Sequence, residues 1–346
     1  MMKKTLYVVG SIVLLSGIIL WALTRSGNDR NSTLDKQDVG SKSEKVVIVT
    51  TLFPLYDMAR AIGGDDADVS LLLPPGMSPH TFDPKPSDIA RIAAADVFVY
   101  TGAFMEPWAE ETLRGIGRDD IRVVDGSEGV SLLAADEEHE EHEEHEEHEE
   151  HGSEGGDVEH EHEHEQSGND PHIWLDFENA EIMAVHIAEA LADADPGHAT
   201  RYAERSSDYV VRLSELDRKY RDNLAVCRTK KIVYGGHYAF GYLAHRYNLD
   251  YVAAQGFSPD AEPTAKELAE LVSQVRSLNL SHVFSETLTS PRIAETIASE
   301  TGASVLELNP AGNLSSDAFE RKTTFFDIME DNLGKLQTGL GCMSAK

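Results

Sequence analysis

With only two cysteines in 346 residues, Cys227 and Cys342, the chain cannot build a disulfide framework or a thiolate zinc site. In an exported body the pair could close one long loop, or they could be two unrelated thiols. Cations are also scarce: 30 Lys and Arg stand against 61 Asp and Glu, for a formal net charge of -31. Such a chain has no basic surplus to neutralise phosphates, which argues against nucleic-acid binding. No phosphate loop and no nucleophile elbow appears. Carboxylate pairs of the kind glycosidases use are plentiful only in one acidic tract, where nothing fixes their separation.

That tract is the most unusual feature present. Residues 136–165 hold seventeen Asp and Glu with no Lys or Arg, about half of the net charge. Eight of the fifteen histidines lie there too, repeating His-Glu-Glu from His139 to His151 and ending His160-Glu161-His162-Glu163-His164. The last five residues fit the H-E-x-x-H pattern of metalloproteases, but the tract has no apolar face on which to pack a helix, so the match is empty. A solvated charge run is the plain alternative. The reading adopted is a weak, multivalent metal-collecting loop, because neutral imidazoles among carboxylates bind zinc reversibly.

At the N-terminus, Lys3 and Lys4 precede an uncharged, almost wholly apolar run over residues 6–23. Its length is nearer the ~20 residues of a membrane span than the 7–15 of a signal-peptide core. Residues 1–25 therefore read as a membrane anchor or export signal, with an uncleaved anchor preferred, and residues 26–44 as a polar tether. From residue 45 short β-branched runs alternate with helical stretches, which predicts an α/β fold with parallel sheets covered by helices. Residues 45–195 are expected to form an N-terminal lobe carrying the tract at 136–166, and 227–346 a C-terminal lobe. Between them, 196–226 reads as one long linking helix. The helix over 178–194 is expected to bury Ile182, Val185, Ile187 and Leu191, and a single final helix is expected from about Asp317 to Leu336.

Ligands of parallel α/β sheets bind beyond the carboxyl ends of strands. The polar residues expected there are His80, His237 after Gly235-Gly236, Glu286 and Asn309. His172 completes the set within Asp170-Pro171-His172-Ile173-Trp174-Leu175-Asp176, where a proline and an apolar clamp fix the backbone. Imidazoles brought from separate loops into an interlobe cleft read as a transition-metal site. His186, His198, His245 and His282 fall on helices, near a helix cap or in a strand, and read as structural.

Gly76-Met77-Ser78-Pro79-His80 with Pro86-Ser87-Asp88 resembles the first metal-binding loop of the zinc and manganese binding proteins of ABC importers. The 170–176 segment resembles their second loop and His237-Tyr238-Ala239-Phe240-Gly241-Tyr242 their third, while Phe284-Ser285-Glu286 and Leu308-Asn309-Pro310 resemble the last two strand ends. The resemblance implies a monomeric, extracytoplasmic receptor, two lobes joined by a spine helix, delivering Zn²⁺ to an importer permease and its ATPase. It also implies that the chain is not an enzyme. One departure stands out: the family usually has aspartate where this chain has Asn309. Three imidazoles still suit tetrahedral zinc better than oxygen-preferring manganese, with Glu286, Asn309 or water at the fourth position. The rival readings are a zinc hydrolase using Glu286 as general base, a Mn²⁺ or Fe²⁺ binder, and an adhesin of the same fold.

If the tract only collects metal, deleting residues 136–166 should leave the fold and one tight zinc equivalent intact. Weaker equivalents should disappear, as they should on mild acidification of the full chain, where protons compete for the imidazoles. Titration calorimetry of the deletion protein checks this, and loss of the tight equivalent would show that the tract supplies a ligand.

Overall fold

The computed structural model describes residues 45–134, 168–257, 259 and 262–342. The apolar N-terminal run, the tether and the His/Glu tract lie outside the described residues. Among the described residues no helix is long and apolar enough to cross a membrane.

Val46–Thr50 (β1), Ala67–Leu71 (β2), Val97–Tyr100 (β3) and Arg122–Asp125 (β4) form a parallel sheet in the order β2-β1-β3-β4. Helices Phe53–Gly63 (α1), Pro86–Ala93 (α2) and Trp108–Ile116 (α3) connect them. The central strands carry continuous apolar runs, Val-Val-Ile-Val and Val-Phe-Val-Tyr, as strands covered on both faces must. Phe177–Ala194 (α4) and Ala199–Ala225 (α5) then lead to a second sheet. Its strands Lys231–Tyr234 (β5), Asp250–Ala253 (β6), His282–Glu286 (β7) and Ser304–Leu308 (β8) repeat the pattern as β6-β5-β7-β8, again all parallel. Helices Gly241–Tyr247 (α6), Ala265–Ser277 (α7) and Arg292–Thr301 (α8) alternate with these strands. The result is the expected two-lobe α/β fold.

The spine is α5, whose 27 residues span about 40 Å at 1.5 Å per residue. Its buried stripe, Tyr202, Ser206, Tyr209, Leu213, Leu216, Tyr220 and Leu224, follows the 3–4 residue spacing of a helix laid along a core. Ser206 Oγ donates to Ala184 O of α4 at 3.3 Å, and Tyr220 Oη donates to Met329 O at 2.6 Å. One helix thus touches structure on both sides of the molecule.

Two expectations are corrected. On α4 the buried face runs through Ala180, Met183, Ala184, Ile187, Ala188 and Leu191, leaving Val185 38% exposed. The helix is rotated because its small alanines, not its branched residues, allow close approach to α5. The final helix is two: Ser316–Glu320 (α9) and Phe325–Leu340 (α10). Lys322 takes a left-handed φ of 58° between them. Thr324 then restarts the helix with a capping box, its Oγ1 accepting from Asp327 N at 3.1 Å while Asp327 Oδ2 accepts from Thr324 N at 2.9 Å. Phe325 N is anchored to Asp57 Oδ2 at 3.0 Å.

The two cysteines are bonded to each other across 115 residues of chain, tying the end of α5 to the end of α10. Closing so long a loop restricts the unfolded chain, which stabilises the fold by about 2–4 kcal/mol. The double replacement Cys227→Ser, Cys342→Ser should lower stability by about that amount in urea denaturation. An unchanged midpoint would show that the bridge stores no stability.

Candidate metal centre

Three loops converge at the carboxyl ends of the strands. His80 sits in a short 3-10 turn, Pro79–Thr81, after a loop in which Gly76 takes φ 85°, a left-handed conformation that suits glycine. Asn313 Nδ2 donates to Pro74 O and Met77 O, both at 2.8 Å, and Gly76 N donates to Leu314 O at 2.7 Å. The His80 loop is therefore stapled to the loop that follows β8. His172 is followed by the 3-10 turn Ile173–Leu175, fully buried, with Trp174 Nε1 donating to Pro310 O at 2.8 Å. His237 follows β5 through Gly236, where a Cβ would lie 2.5 Å from Glu286 Oε2. Only glycine permits that approach. In the second sheet the strand order reverses between β5 and β7, and both His237 and Glu286 lie at that switch point.

One ring nitrogen from each of His80, His172 and His237 lies within 4.8 Å of those of the other two. The ring centroids are 5.0–5.3 Å apart. Both buried imidazoles are held from behind by carboxylates. His172 Nδ1 is 2.8 Å from Asp170 Oδ1, which also accepts from His172 N at 2.9 Å. His237 Nδ1 is 2.7 Å from Glu286 Oε2, which also accepts from His237 N at 3.2 Å. When ionised, each carboxylate can only accept, which puts the proton on each Nδ1 and leaves each Nε2 with a lone pair. Those two Nε2 atoms face each other at 3.1 Å. A tetrahedral zinc with Zn–N of 2.0–2.1 Å sets its nitrogens about 3.3 Å apart, so the pair is spaced for a shared cation.

Burial lowers the His172 pKa well below the ordinary imidazole value, helped by the neighbouring His237, and so keeps its lone pair available. Burial likewise pushes the Asp170 carboxyl up to about 7, against the opposing pull of the His172 N–H and of His237. The cleft in front of the rings holds about 70 Å³, far below the 300–1,000 Å³ of metabolite pockets, and it suits an ion. Met77 and Leu288 rim its mouth, 41% and 44% exposed, and Leu288 adopts φ 71°, a strained conformation for a leucine.

Of the five residues expected at the site, the three histidines come together. Glu286 stands behind His237. Asn309 lines the cleft, with its Oδ1 accepting from Ala311 N at 2.8 Å. The orienting role of Asp170 was not read from the sequence, although an acidic residue two positions before a candidate ligand is the signal that would have found it.

A two-lobed α/β body with imidazoles converging between its sheets is the build of a metal-ion receptor. The chain belongs to the zinc-uptake complex component A (ZnuA, periplasmic) family, whose model matches residues 48–339. It is 36% identical over 305 residues to the high-affinity zinc uptake system protein ZnuA of Bacillus subtilis, covering 88% of this chain and 91% of the relative. It is 32% identical to the zinc-binding protein AdcA of Streptococcus pyogenes over 97% of this chain, and spans 61% of that longer relative. Among solved structures, the Zn(II)-bound ZnuA-like domain of Streptococcus pneumoniae AdcA is similar at a TM-score of 0.69 and 29% identity, over 86% of this chain and 99% of that one.

In the zinc-free protein, NMR titration should find His172 neutral well below pH 6.5. The unfolded chain takes up that proton near pH 6.5, about one unperturbed imidazole value. The stability linked to His172 is therefore complete above that pH and is lost as the pH falls toward the depressed native pKa. An imidazole that titrates at or above its ordinary value would contradict the burial and tautomer assigned to it.

Proposed function

We propose that this chain is the extracytoplasmic receptor that binds Zn²⁺ and hands it to an ABC importer, with His80, His172 and His237 as the protein ligands. The observation that carries this reading is the 3.1 Å approach of two Nε2 lone pairs, each turned inward by a carboxylate behind the ring. With both carboxylates ionised, two lone pairs at that distance repel unless a cation or a proton lies between them. The carboxylates that bond the distal nitrogens raise ligand basicity, as the outer partners of zinc-bound histidines do. Three nitrogen donors favour zinc over manganese.

Water is the proposed fourth ligand. Glu286 Oε2 already takes two donors from His237, and Asn309 Oδ1 takes the Ala311 N–H. The same engagement weighs against the hydrolase reading, in which Glu286 would have to activate a water molecule. The family and the named functions of its relatives support an importer as partner and an extracytoplasmic location. The apolar stretch over residues 6–23 is proposed to anchor or export the body, which acts as a monomer.

Calorimetry on the full chain, with chelator competition to reach the tight range, tests the assignment. One tight zinc equivalent is expected, with manganese weaker. His172→Ala should weaken it by more than about 100-fold, since losing even an outer partner of a ligand costs 10–100-fold. Unchanged stoichiometry and affinity in that variant would sink the assignment.

A further inference from the structure

We infer that the short helix α6 is a brace for the His172 loop, and that Tyr242 and Arg246 are positioning residues that set the His172–His237 spacing. The inference rests on the reading of the three imidazoles as zinc ligands. Tyr242 and Arg246 are four residues apart, so they project from one face of the helix. The segment 170–176 carries His172 and is gripped at both ends from that face. At its start, the buried Tyr242 hydroxyl donates to Asp170 O at 3.1 Å and accepts from Leu133 N at 3.0 Å. At its end, Arg246 Nη1 lies 2.9 Å from Asp176 Oδ1. The same guanidinium reaches Glu178 Oε1 at 3.1 Å and, through Nε, Asp217 Oδ1 of the spine at 2.7 Å.

Each grip acts on a residue that matters to the site. Asp170 holds both the backbone N–H and the Nδ1 of His172. Asp176 caps α4 by accepting from Glu178 N at 2.9 Å, which fixes where the 3-10 turn Ile173–Leu175 must end. The brace itself begins where the His237 loop stops, at Phe240. Ala239 N and Phe240 N both donate to Tyr251 Oη, so that junction is also held. At the helix start a Cβ on Gly241 would lie 2.5 Å from Asp170 Oδ2, so the helix is seated directly against the carboxylate. Any shift of α6 therefore moves both imidazoles as one unit. Arg246 is only 10% exposed and satisfies three carboxylates with a forked group that lysine cannot reproduce.

A brace of this kind should act on how long the ion stays. Zinc release from the full-length protein into excess chelator, followed by stopped flow, should be about tenfold or more faster in Tyr242→Phe, the lower end of the range for outer partners. The d–d absorption of the Co²⁺-loaded protein should shift as well, because the ligand geometry has loosened. Tyr202→Phe is the control: it also removes the hydroxyl of a buried tyrosine, but one that donates to Asp195 Oδ2 at 2.9 Å, at the end of α4 opposite the loop. It should lower the melting temperature without changing release or spectrum. Arg246→Lys carries the same test if Tyr242→Phe does not fold. Wild-type release and spectrum in a folded Tyr242→Phe or Arg246→Lys protein would overturn the brace while leaving the ligand assignment standing. Equal acceleration in Tyr202→Phe would overturn it too, since stability alone would then set the rate. A wild-type protein that binds no zinc would overturn the ligand assignment and the brace together.

Discussion

The pairing of each buried imidazole with a carboxylate through Nδ1 is the contact on which the centre depends. Without Asp170 and Glu286, either ring nitrogen of His172 and His237 could carry the proton, and the rings could turn. With them ionised, the tautomer and the ring plane are both set, and the inward-facing nitrogen is left as a lone pair. That arrangement needs dry surroundings to hold. Ile173, Trp174 and Leu175 shield one ring, and Gly236 lets the other close on Glu286 without steric conflict. Much of the local sequence around the loops can be understood as serving these two hydrogen bonds.

Most of the architecture was legible in the sequence because it is written locally. Val46–Thr50 and Lys231–Tyr234 are β-branched or apolar runs too short for helices, and the strand–helix alternation around them leaves little but a parallel sheet. The three histidines were legible because each sits in a loop whose glycine or proline fixes the backbone beside it. What was less legible is contact between distant segments. Glu286 could be placed at a strand end, but not behind a ring 49 residues away. Arg246 looks like an ordinary surface charge on an amphipathic helix until Asp176, Glu178 and Asp217 gather round it. The break between the last two helices is a different case. Thr324 and Asp327 spell a capping box in the sequence, and that local signal marks the break.

The chain holds histidines in two chemical settings. Those of the tract lie among many carboxylates, which favour the protonated imidazole and so make metal compete with protons near neutral pH. His172 is the opposite case, since burial disfavours its cation. If the tract collects metal, as its composition suggests, the second kind offers that metal a less proton-sensitive acceptor. The connection between them is physical: Asp170 N donates to Leu133 O at 2.9 Å and Ala134 pairs with Asn169, so the two roots of the tract are joined immediately beside the His172 loop.

The two carboxyl groups behind the rings suit the centre to a dication. Asp170 and Glu286 side chains are only 2% and 6% exposed, so with both ionised they would put two negative charges in a nearly dry cleft. Unpaired buried charge is costly, which is why burial alone pushes the Asp170 carboxyl up to about 7. A bound M²⁺ would neutralise both carboxylates through the rings they orient, holding Asp170 ionised and releasing any proton it carried. A monovalent ion would leave one charge uncompensated, and a third carboxylate would leave a surplus. An asparagine at position 309 fits this balance: it keeps an oxygen at the cleft without adding the charge that would favour a harder, more oxygen-seeking metal.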